Sequence, residues 1–132
     1  MDIKALAQET IIALKIVPDE QVVLDVLTVD WNGTPEVRIA SEPSKPEDET
    51  QFGAFTETTI MGVHVLAVPR EVAQAMKKQA ADAVYARFEE LEQTRGSGIL
   101  CITPIEHNTV QISGSTAFHS FTNFQVLHSP TL

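Results

Sequence analysis

Between Pro69 and Gly96 the chain keeps a single period: Val72, Met76, Ala80, Ala83, Val84, Phe88 and Leu91 recur at helical spacing, which is the pattern of an apolar stripe along an α-helix. Pro69 pre-sets a first helical turn and Gly96 suits the end of one, so the spacing predicts a helix from about Arg70 to Arg95. At ~1.5 Å per residue it would be about 40 Å long. Only a sheet, or a second helix of similar length, can cover such a stripe.

The segments on either side of the helix supply that sheet. Gln21 to Trp31 is apolar in both alternation sets, with Val22, Leu24 and Val26 on one face and Val23, Leu27, Val29 and Trp31 on the other, the mark of a strand covered on both sides. Asn32-Gly33 follows directly and predicts a type I′ hairpin, since both central positions need positive φ. A two-residue loop would set Trp31 against Thr34, Thr28 against Val37 and Val26 against Ile39, with Glu36 and Arg38 on a wetter face. "FGAFTETTIMGVHVLAVP" reads as β-rich, with Gly62 a turn or bulge. "GILCITPI" and "TVQIS" read as strands around a turn at Glu106-His107-Asn108, and "FQVLH" as a last strand. Ile3, Leu6, Thr10, Leu14 and Val17, with Ile11 beside them, predict a short N-terminal helix that Pro18 stops.

The expected fold is therefore α+β: a mainly antiparallel sheet of about six strands, the long helix across it, and the short N-terminal helix beside that. One domain spanning 1–132 is expected, with a mobile acidic loop at about 42–51, "EPSKPEDETQ", which has no large apolar side chain with which to order itself.

Composition narrows the partners. Nine basic against eighteen acidic residues give a net charge of −9, a field that repels phosphate backbones and anionic lipid surfaces. Neither nucleic acid nor membrane is expected as a partner, and no apolar run approaches the ~20 residues of a membrane-spanning helix. Met1-Asp2-Ile3-Lys4 lacks the layout of a secretory signal, which predicts a cytoplasmic protein. The single Cys101 excludes an internal disulfide or a multi-thiolate metal site within one chain. Lying in "ILCITP", it is expected to be an inert core thiol. No cofactor is expected.

The last 37 residues, from Gly96 onward, carry one charged side chain, Glu106, beside ten Ser or Thr and three of the four histidines. Strands at sheet edges are normally guarded by charge or proline, so this third is either central in the sheet or covered by another chain. "STAFHSFTNF" contributes Phe118, Phe121 and Phe124 as the candidate interface. The leading functional expectation is a non-enzymatic interaction or assembly module, homo-oligomeric or bound to a protein partner through this third. The alternative is a small-molecule-binding domain or enzyme with a pocket between helix and sheet lined by His64 and His119.

Catalytic and metal signatures are thin. There is no G-x-S-x-G elbow, no Asp in the C-terminal third to orient a histidine, no H-E-x-x-H, and no phosphate-binding glycine loop after a strand. His107, His119 and His128 match no compact ligand motif. The order of helix, strand, hairpin, "GVHVLAVP" and "SGILCITP" loosely resembles the small β-rich carriers of the HesB type. Those carriers handle iron–sulfur clusters through cysteines this chain lacks, so the resemblance brings no activity with it.

Overall fold

The computed structural model describes residues 2–26, 31–42, 45–46 and 56–129. Helix α1 spans Ile3–Leu14 and α2 spans Arg70–Glu92; the strands are β1 (Val22–Leu24), β2 (Glu36–Ser41), β3 (Lys45–Pro46), β4 (Glu57–Ala67), β5 (Ile99–Gln111) and β6 (Phe118–His128). They form a mixed sheet in the order β1-β2-β4-β6-β5, with the two-residue β3 pairing beside β4. The expected α+β class is the one observed.

Both helices lie on one face of that sheet. Strand alternation turns Val37, Ile39, Met61, Val63, Val65, Phe124 and Val126 toward them, and these residues share one core with Ile11, Val84 and Phe88. Asp2 caps α1, its Oδ1 accepting from the Lys4 amide at 2.9 Å and the Ala5 amide at 3.4 Å. The helix stops at Leu14 rather than Val17, because Lys15 adopts φ 57°. Along α2 the buried stripe is Ala73, Met76, Ala80, Ala81, Val84, Phe88 and Leu91; Val72, at the first turn, stays exposed. Its end comes at Glu92, where the amides of Gln93 and Thr94 bond back to the carbonyls of Glu90 and Leu91, so Gly96 lies beyond the helix.

The expected hairpin at Asn32-Gly33 does not form. Strand β1 pairs with β2 in parallel, Val22 with Val37 and Leu24 with Ile39. The strand is cut short at Asp25, which turns with φ 54°; its amide donates to the Ile39 carbonyl at 2.8 Å and its carboxylate takes an ion pair from Lys4 of α1. Asn32-Gly33 is still a turn: the Thr34 amide donates to Asn32 Oδ1 at 2.9 Å, and Gly33 supplies φ +88°. Residues 27–30, which were expected to complete the first hairpin strand, lie outside the described residues. So does most of the acidic stretch at 42–51.

Two more expectations are corrected. Gly62 is neither turn nor bulge but the sixth residue of an uninterrupted β4; a Cβ there would run into His64 Nε2 and lie 2.6 Å from Asn123 Oδ1, so the position keeps room for two side chains. Glu106-His107-Asn108 is not a turn, because β5 runs straight through it for 13 residues. The reversal falls later, where the Ile112 amide bonds to the Ala117 carbonyl at 2.9 Å.

Candidate functional site

The face of the sheet turned away from the helices carries an unusual set of side chains. The register puts Arg38 of β2 beside His64 of β4, and His64 beside Phe121 of β6. His119 lies diagonally from His64, and the two rings meet: His64 Nδ1 and His119 Nε2 are 2.8 Å apart. The rings stack with centroids 5.0 Å apart, and Phe121 packs against both at 5.5 and 5.1 Å. Glu36 and Arg38, both largely buried, close the β2 side with an ion pair of 3.1 Å.

The two candidate histidines are therefore brought together, but on the opposite face from the one expected. A pocket between helix and sheet cannot be lined by them, since odd-numbered β4 residues face α2 and His64 is even. Burial, then the neighbouring His119, then the Arg38 charge push the His64 pKa down to about 4. Burial first and Arg38 second also lower that of His119. A hydrogen bond between two imidazoles needs one unprotonated nitrogen, which agrees with both directions.

Because the folded pKa lies below the unfolded value of 6.5, the folded state binds fewer protons than the unfolded chain. The stability from this pair is complete above pH 6.5 and is lost as the pH falls toward 4. Urea midpoints of the wild type should drop between pH 7 and pH 4.5 by more than those of His64→Gln. Parallel midpoint curves for the two proteins would contradict the assignment.

The three phenylalanines part company. Phe118 and Phe124 point to the helix face and Phe121 to the other. Phe124 is 2% exposed and stacks near Tyr85 of α2 with centroids 6.3 Å apart, while Phe118 is half-buried against the core. The trio therefore does not form one continuous surface, because strand alternation splits residues three apart. The remaining histidines do not converge with His119. His128 is buried, with Nε2 at 2.8 Å from Thr59 Oγ1 and Nδ1 donating to the Ser129 carbonyl at 2.8 Å; His107 is exposed on β5. Among the described residues no group of three or more His, Cys, Asp or Glu could hold a metal ion. Cys101 is exposed rather than core, because its pairing with Leu127 puts it on the face of the sheet that the helices leave uncovered.

That placement of β5 is what sequence reasoning missed. Within the C-terminal third, β6 is central, paired with β4 along 11 residues, but β5 is an edge strand with β6 on one side only. Leu100, Ile105 and Val110 on it are 48%, 48% and 43% exposed. Their signal in the sequence was a run of apolar residues with no lysine beside it. A groove of about 750 Å³ separates β5 from α2, with Arg70, Lys77 and Tyr85 on the helix wall and Pro104, His107 and Thr109 on the sheet wall. Among the described residues, no helix is long and apolar enough to cross a membrane.

No protein-family description matches the chain, and no curated protein sequence is significantly similar to it. Among solved structures, a chain in "Virion of native gene transfer agent (GTA) particle" superposes with a TM-score of 0.63 at 11% sequence identity, covering 96% of this chain and 93% of that one. At that identity, what the two chains share is the fold.

Proposed function

We propose that this protein is a non-enzymatic structural subunit that assembles with copies of itself, and that the copies meet along the outer edge of β5. The observation that carries this reading is the edge itself. It is 13 residues long, with β6 on one side only, an evenly paired second half from Glu106 to Gln111, one charged residue, Glu106, and three exposed aliphatic side chains. A soluble protein that leaves such an edge uncovered is prone to unspecific strand pairing. Coverage by a second copy removes that hazard and buries the aliphatics. Self-association is favoured over a foreign partner because homo-oligomers are the commonest soluble assemblies. The fold shared with a chain of a virion particle supports a role as a component of a larger assembly.

Light scattering over a range of protein concentrations tests the reading. The expected mass is a multiple of 14.5 kDa at micromolar concentration. A constant 14.5 kDa at every concentration would overturn it.

A further inference from the structure

The groove beside β5 has a net positive lining in a chain whose net charge is negative. Arg70, Lys77 and Lys78, three of the nine basic residues, line it in a chain of net charge −9. Lys78 is bridged to Asp82 at 2.8 Å, which leaves Arg70 and Lys77 to set an excess of positive charge on the wall. Glu106 does not oppose them, because its register with Asn123 puts it on the other face of the sheet.

The edge that borders the groove is not uniform along its length. Its first half holds Pro104 and two breaks in register, between Ile99 and Cys101 and between Pro104 and Glu106. Proline and bulges are devices that block the addition of a further strand. From Glu106 to Gln111 the pairing with β6 advances residue for residue, from Asn123 to Phe118. Strand addition is thus open only along Glu106–Gln111, on the stretch that carries the groove's His107, Asn108 and Thr109.

We infer that this groove and open edge receive an acidic segment from a second copy of the chain, namely the stretch containing Glu47-Asp48-Glu49. The inference rests on the self-assembly proposed above and specifies its contact. Backbone bonding to an open edge supplies affinity without regard to sequence, and charge sets register and partner choice. The chain holds the complement to its own basic wall: three consecutive acids against Arg70 and Lys77.

Charge exchange on the full chain tests the contact by sedimentation equilibrium. Arg70→Glu with Lys77→Glu reverses the wall; an acid at position 70, in the first turn of α2, suits the helix dipole, and at position 77 Glu is as good a helix former as Lys, so the fold is retained. Glu47→Lys, Asp48→Lys and Glu49→Lys together reverse the segment. Each reversed protein should self-associate about tenfold more weakly or worse, and an equimolar mixture of the two should recover an affinity near the wild type's. Wild-type association in both reversed proteins, or loss in each without recovery on mixing, would overturn the inference while self-assembly stands. A wild type that stays monomeric would overturn both.

Discussion

Lysine at both Ile105 and Val110 is expected to leave a folded monomer. Each of these side chains is nearly half exposed on the outer strand of the sheet, so the folded subunit loses little when they change. Their substitution should shift a thermal midpoint by no more than a few degrees, as surface changes worth about 0.5 kcal/mol do. The assembled state loses far more. Covering the exposed part of each aliphatic chain contributes roughly 1 kcal/mol, and a lysine at the same place must shed its water when the edge is covered, at a cost of several kcal/mol. At about 1.4 kcal/mol per tenfold, the pair of substitutions should weaken association by ~100-fold or more. Light scattering and a thermal melt on the double variant check both halves of the expectation. Unchanged association would mean that copies meet elsewhere, and a collapsed melt would mean that β5 holds the subunit together.

Phe124→Ala is expected to destabilise the subunit by about 3–5 kcal/mol, the range for large aromatic truncations in a packed core. The ring is 2% exposed, packed among β4, β5, β6 and α2 at the floor of the groove with Tyr85 as its neighbour, so its removal leaves a vacancy in the packed core. Set against a total stability of about 5–15 kcal/mol, this brings the protein close to unfolding at ordinary temperature. Phe121→Ala on the other face should cost clearly less, since Phe121 is only partly covered. Chemical denaturation of the two variants side by side measures the difference. Equal losses would contradict the assignment of Phe124 to the core and Phe121 to the histidine face.

How much of this was visible in the sequence follows from which forces are local. The stripe on α2 announces itself because a 3.6-residue period and burial against one surface coincide, and the expected and observed starts agree at Arg70. At Asn32-Gly33 the turn chemistry is real while the expected hairpin pairing is not. What ends β1 is a left-handed Asp25 tied to Lys4, 21 residues earlier in the chain, and a contact of that range leaves no trace in a window around the turn. Gly62 shows the same limit, since the crowding it relieves comes from His64 and from Asn123 on another strand. His64 and His119 could each be suspected of a role, but their hydrogen bond spans 55 residues and follows only from the register of β4 with β6. The scarcity of charge after Gly96 was plain; which of its two long strands would be the edge was not, because strand order is decided by tertiary packing.

The outer edge of β5 is where the copies are expected to meet. Amide hydrogen exchange at two protein concentrations tests it most directly, because backbone groups that face water in a free subunit become bonded when a copy covers them. The predicted result is protection across Glu106–Gln111 that rises with concentration, with little change in β4, whose amides are already held from both sides. Concentration-dependent mass with no added protection in β5, or with protection confined to another element, would contradict it.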